Sequence, residues 1–190
     1  MALLLIAVIG GVIAALAVGG RPSNAGLRPI RATGALAAGV VFQGAPHLLS
    51  TSGSTGLACV LVSYALLIGF AVANFRLVGM PVVLLGLALN VGVIALNSGM
   101  PVRADAILTA DHDRRPEDVA TLQMDAKRHV ATSDDHLTVL GDALPLPPVH
   151  EVVSFGDLVL ALGTANVVFR LLKPHTAVRR RQALAALPAG

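Results

Sequence analysis

LVGMPVVLLGLALNVGVIALNSGMPV, residues 77–102, decides the reading of this chain. It contains no charged residue and is long enough to cross a hydrocarbon layer, which takes about 20 apolar residues in helical form. A Gly-Met-Pro phrase marks each end, at 79–81 and 99–101. Two asparagines, Asn90 and Asn97, lie seven residues apart inside it. Every acidic residue of the protein lies downstream, between Asp105 and Asp157.

Composition agrees with a membrane protein. The 190 residues are 55% hydrophobic and 13% charged, about half the charge of a soluble domain. In lipid the backbone must satisfy its own hydrogen bonds, so a chain of continuous apolar runs is expected to be helical. A transmembrane barrel would show short alternating segments and aromatic girdles, whereas aromatics here are 3%, with no Trp and one Tyr. The single cysteine, Cys59, forms no internal disulfide. Twelve arginines against two lysines, with abundant Ala, Gly, Val and Leu, hint at a GC-rich bacterial genome.

Working outward, the expected fold is all-α: a polytopic bundle of about five spans, at 2–19, 32–50, 57–75, 79–99 and 154–172. One long loop, 100–153, and a basic tail, 173–190, complete a single integral membrane domain. The first run is read as an uncleaved anchor, since Arg21 follows it and no basic residue precedes it. Within the loop, 116–130 (PEDVATLQMDAKRHV) reads as a short amphipathic helix, with Pro116 in its first turn, acids first and bases last. The Leu-Pro-Leu-Pro-Pro of 144–148 forbids a regular helix there.

Charge sets the orientation. Arg21, Arg28, Arg31, Arg76, Arg170, Lys173, Arg179, Arg180 and Arg181 all fall on one side of the expected bundle. Residues 100–157 hold five bases against eleven acids, a net charge of −6. By the positive-inside rule the N-terminus and the loop are outside and the tail is cytoplasmic, in a multi-pass protein of the plasma membrane. The basic residues flank spans without aromatic interleaving, so no nucleic-acid partner is expected. The expected partners are the bilayer and another membrane protein.

Polar groups inside a bilayer turn toward the bundle. Asn90 and Asn97 share a helix face with Gly86, as interhelical packing and hydrogen bonding require; lining of a polar cavity is the functional counterpart. Gln43 and His47 share a face of the second span beside Pro46. Asn74 closes the third span. Asp157 opens the fifth, where an acid is favoured by the helix dipole, and Ala161 and Thr164 continue its face. Asp157 with Asp142 or Asp105 is the candidate pair for acid–base catalysis, since two close carboxylates split their pKa values. Asp111, His112 and Asp113 resemble metal ligands by type, yet the spacing matches no known site, and neither a metal nor a cofactor is expected. There is no phosphate loop, nucleophile elbow or internal repeat.

Asn74-Phe75-Arg76-Leu77, Gly79-Met80, Leu84-Leu85-Gly86-Leu87-Ala88-Leu89-Asn90 and Asn97-Ser98-Gly99-Met100-Pro101-Val102 resemble a family of bacterial multi-pass membrane proteins of unknown function. Leu140-Gly141-Asp142, Leu144-Pro145-Leu146-Pro147 and Ser154-Phe155-Gly156-Asp157 extend the likeness over roughly residues 70–170. The resemblance implies a membrane location and a shared architecture, with no activity. A more distant likeness, Val153-Ser154-Phe155-Gly156-Asp157, is to lipoprotein signal peptidases, whose catalytic aspartate follows Phe-Asn-x-Ala. Here Ser and Gly replace the Asn and Ala, and the family's Asn-x-x-Asp-Arg phrase is absent. The expectation is therefore a non-catalytic accessory or assembly component. The alternative is an intramembrane aspartyl hydrolase, and a small transporter is a third reading.

Overall fold

The stretch around Met80 forms a helix because Gly79 turns the chain in the left-handed region (φ 101°) and Pro81 sits in the first turn, where its missing N–H costs nothing. That helix, α4 (Met80–Asn97), stops when Ser98 enters the left-handed region and its N–H returns to the Ile94 carbonyl. The computed structural model describes residues 2–27, 29–48, 53–120, 124 and 127–174.

Four other long helices accompany α4: α1 (Ala2–Ala17), α2 (Thr33–Leu48), α3 (Gly53–Ala73) and α7 (Phe155–Leu172). Two short ones, α5 (Ala104–Ala110) and α6 (Pro116–Ala120), lie between α4 and α7. Packing orders the long helices as α2, α3, α4, α7, α1. The helix α7 is held between α4 and α1, and α1 runs parallel to it: Ala2 N donates to Glu151 Oε1 at one end, and Arg21 N donates to the Leu172 carbonyl at the other.

Glycines set how closely α7 approaches its neighbours. A Cβ on Gly86 would lie 2.6 Å from Leu160 N, one on Gly163 2.6 Å from Val83 N, and one on Gly11 2.6 Å from the Ala165 carbonyl. These backbones are in contact, as small-residue seams permit in membranes.

Three helices, α3, α4 and α7, are long and apolar enough to cross a membrane, which marks the protein as membrane-associated. The outward faces agree: Val41 and Leu162 are 66% and 70% exposed. At 1.5 Å per residue the 16-residue helices α1 and α2 reach about 24 Å, short of a hydrocarbon core of about 30 Å.

The expectation of an all-α chain is corrected by a four-stranded sheet. Its strands are β1 (Met100–Val102), β2 (Arg128–Val130), β3 (Asp142–Leu146) and β4 (Glu151–Ser154), in the order β2-β1-β3-β4. The strand β1 is parallel to β2 and β3, and β3 is antiparallel to β4. The end of the opening stretch, expected at the start of the long loop, is thus strand. Of the amphipathic helix expected over 116–130, the described residues hold α6 at its start, and its last three residues are β2 instead. Backbone pairing with Met100–Val102 outweighs helix propensity there.

Two apolar clusters result. One fills the bundle around Val60, Tyr64, Leu87 and Ile94. The other lies under the sheet, where Ile107, Ala110, Val119 and Val152 pack together. The sheet, α5 and α6 make a small head on the end of the bundle where α4 finishes and α7 begins. The expected basic tail beyond residue 174, and Arg28, lie outside the described residues.

Candidate functional site

The head and the bundle meet at the start of α7. Ser154 ends β4 in extended conformation and caps the helix: its Oγ accepts from Asp157 N at 2.9 Å, and its own N–H donates to Asp157 Oδ2 at 3.2 Å. This reciprocal box satisfies two N–H groups that a helix start leaves unpaired. Asn90 reaches it from α4. Its Nδ2 donates to Asp157 Oδ1 at 2.7 Å, and its Oδ1 accepts from Ser154 Oγ at 2.9 Å. Asn90 bridges the Ser154 and Asp157 side chains, and the backbone N–H groups of those two residues close the ring. Asn90 and Ser154 are fully buried. Gly156 makes room: a Cβ there would collide with Asn90 Oδ1.

The other polar residues that the sequence places in apolar runs pin helices. Asn74 Oδ1 accepts from Arg31 N at 2.9 Å and its Nδ2 donates to the Arg31 carbonyl at 2.8 Å, fastening the start of α2 to the end of α3. Asn97 makes the same two-bond clamp with the backbone of His136, at 2.7 and 2.9 Å, and so fastens the head to the end of α4. Asn97 therefore turns away from the Asn90 ring despite the shared helix face. Gln43 Oε1 lies 2.6 Å from Ser63 Oγ, which lies 2.8 Å from the Gly39 carbonyl. One hydroxyl proton serves both contacts when the Gln43 amide is turned so that Nε2 donates to Ser63 and Ser63 donates to Gly39. The side chain of His47 lies outside the described residues.

The three candidate carboxylates have different partners. Asp105 is exposed and bidentate with Arg103, at 3.0 and 2.6 Å; the Arg103 guanidinium holds its carboxyl below the usual range, against slight burial. Asp142 is buried with its Oδ2 2.7 Å from Arg128 Nε, an ion pair across the sheet. Asp157 belongs to the ring. Asp142 stands opposite Ser154 in the β3–β4 register, so two of the three carboxylates do reach the same layer. Asp111 pairs with Arg114 at 3.2 Å, and no cluster of three metal-ligating side chains occurs among the described residues. Asp135, in the head, is nearly buried, which opposes ionisation. The Thr132 N–H, the His129 ring and the Thr132 hydroxyl nevertheless hold its carboxyl below its ordinary value.

Beside the ring a cleft of about 450 Å³ runs along α7, past Asp157, Leu160, Thr164, Val167 and Leu171. Its walls come from α1, α2, α3 and α4 and are chiefly apolar. Gln43 and Tyr64 face it, and Tyr64 has the side chains of Asn90 and Gln43 as polar neighbours. Lys127, Arg128, Glu151 and Asp157 gather at its head end. Of these, sequence reasoning singled out Asp157 alone. Ser154 was findable as the first residue of a Ser-x-x-Asp capping pattern. Arg128, Glu151 and Tyr64 carry no such local signal.

Fold and site together define a membrane-associated helical protein with a small mixed-sheet head. The chain belongs to DUF5317, a family of unknown function, whose model matches residues 29–169, from before α2 to within α7. No curated protein and no solved structure matches it.

Proposed function

We propose that the chain is a small, non-catalytic integral membrane protein of the bacterial plasma membrane that crosses five times. It acts as an accessory or assembly component, with its N-terminus and head outside and its tail in the cytoplasm. The observation that carries this reading is the separation of charge along the bundle. Arg21 abuts Leu172, next to Lys173 and two residues from Arg170, and Arg31 is clamped to Asn74, two residues from Arg76. The acids gather at the opposite end, in the head. A basic cytoplasmic face is what orientation by flanking bases requires. The short α1 and α2 are accommodated by local thinning or by flanking polar residues, at modest cost.

The non-catalytic reading is favoured because each candidate carboxylate already has a structural partner: Arg103 for Asp105, Arg128 for Asp142, and the Asn90–Ser154 ring for Asp157. A hydrolase dyad needs two carboxyls sharing a proton. Reporter fusions after residues 120 and 190 test the topology. An enzyme active only outside the cytoplasm should report at 120, and one active only inside should report at 190. A cytoplasmic signal at 120 contradicts the proposal.

A further inference from the structure

The head exposes its apolar groups chiefly at one turn. Among the described residues between α4 and α7, the large apolar side chains left exposed are Leu137, Val139 and Leu144, and the first two are 54% and 76% exposed. Residues 136–141, His-Leu-Thr-Val-Leu-Gly, contain no Asp, Glu, Lys or Arg. The carboxylate just before them, Asp135, is turned to the His129 ring and to Thr132. Single exposed apolar residues are ordinary on a protein surface, so the placing of this pair carries the argument.

Two contacts hold the turn against the end of α4. Asn97 clamps the His136 backbone, and its Nδ2 also donates to the Val93 carbonyl at 3.0 Å, which keeps the clamp at the last helical turn. On the other side Leu140 packs on the bundle cluster that holds Val93, Ile94 and Met100. Between these contacts Leu137 lies in the left-handed region (φ 54°), which a bulky side chain seldom adopts. The surroundings thus hold the turn in a disfavoured conformation that leaves Leu137 and Val139 exposed.

The outward stripe of α4 leads to this turn. Val82, Leu85 and Leu96 are exposed, and Leu85 and Leu96, about three turns apart, share a face. Leu96 is the chain neighbour of Asn97 and so of the clamp. The 18 residues of α4 rise about 27 Å against a hydrocarbon layer of about 30 Å, so its last turn reaches the boundary between acyl chains and headgroups. An uncharged apolar turn fixed beside it continues the stripe.

We propose that the turn 137–139 is an interfacial anchor: Leu137 and Val139 insert into the leaflet on the head's side, at the depth where amphipathic segments bury their apolar faces. The anchor holds the head against the membrane surface beside α4. The inference rests on the membrane reading above and adds a contact with the bilayer outside the crossing helices.

The full-length protein in a Cys59→Ala background carries a nitrobenzoxadiazole label at Thr138→Cys, between the two anchoring side chains, in vesicles of phosphatidylethanolamine and phosphatidylglycerol. Phospholipid with a nitroxide near the carbonyl end of its acyl chain should quench this label. Iodide should quench it about tenfold less than a label at Asp113→Cys, the scale of burying one such side chain. Adding Leu137→Asp and Val139→Asp should raise iodide quenching to the Asp113→Cys level; aspartate tolerates the left-handed backbone, and both positions are exposed, so the fold survives. Iodide quenching at the Asp113→Cys level in the unaltered turn would put it in water and overturn the proposal. So would a turn shielded equally with and without the two aspartates. Protection from both quenchers would show a protein covering the turn, a second copy of the chain included, and would overturn it too. A label at Leu85→Cys separates the two readings. If the lipid nitroxide quenches there but not at Thr138→Cys, the anchor alone fails; if it quenches at neither, the membrane reading fails with it.

Discussion

Replacing Gly156 by alanine drives a methyl group into the Asn90 carboxamide. The added Cβ would sit 2.8 Å from Asn90 Cγ and 3.1 Å from the Gly86 carbonyl, and closer still to Asn90 Oδ1. Asn90 cannot swing aside without releasing Asp157 at 2.7 Å and Ser154 at 2.9 Å. The first is a bond to a carboxylate, worth about 2 kcal/mol, and the second is neutral, worth about 1 kcal/mol. Absent the ring, alanine in a helix is favoured over glycine by up to about 1 kcal/mol, so the sign of the effect is itself diagnostic. We expect Gly156→Ala to destabilise by about 2 kcal/mol net, measured by SDS titration in mixed micelles with far-UV circular dichroism. Asn90→Ala removes both the bonds and the obstacle. The double variant should therefore be no less stable than Asn90→Ala alone, and the two single effects should fail to add by about 2 kcal/mol. A neutral or stabilising Gly156→Ala, or strict additivity, would refute the ring as the α4–α7 fastener.

Three further outcomes follow from the head. Asp142→Asn strands the Arg128 guanidinium; removal of one partner from a buried pair costs about 3–5 kcal/mol, and the partial exposure of Arg128 brings this to about 2, with recovery expected when Arg128→Met is added. Asn97→Ala loses both bonds to the His136 backbone, so limited proteolysis within 131–139 should quicken about tenfold while the helical content holds. Asp135 has a folded pKa below its unfolded value near ~3.9. Its stabilisation is complete above that value and is lost as pH falls through the folded pKa. Thermal melts taken from about pH 5 downward should then fall more steeply for the unaltered protein than for Asp135→Asn.

The helices were legible because the apolar runs, the Gly-Met-Pro phrase at 79–81 and the acid Asp157 in the first turn of α7 are local signals. Asn90 was placed on the packing face of α4 by its spacing from Gly86, and the structure puts both against α7. Asn97 shares that spacing yet bonds to the head, because α4 ends at that residue and its side chain emerges above the bundle. The sheet was not legible. Its strands are three to five residues long and two of them contain proline, so no period-two pattern develops. The Arg128–Asp142 pair follows from strand register, which joins residues fourteen apart through β1. The cleft depends on the order of helices, with α2 and α1 at opposite flanks, and the sequence does not encode that order in any single span.

Cysteine labelling tests the five-crossing account most directly. In a Cys59→Ala background, single cysteines are placed at Ser23, Phe75 and Asp113 and exposed to a membrane-impermeant maleimide in intact cells. The account predicts that Asp113→Cys is labelled at once, and that Ser23→Cys and Phe75→Cys react only after permeabilisation. Labelling of Ser23→Cys in intact cells, or protection of Asp113→Cys, would contradict it.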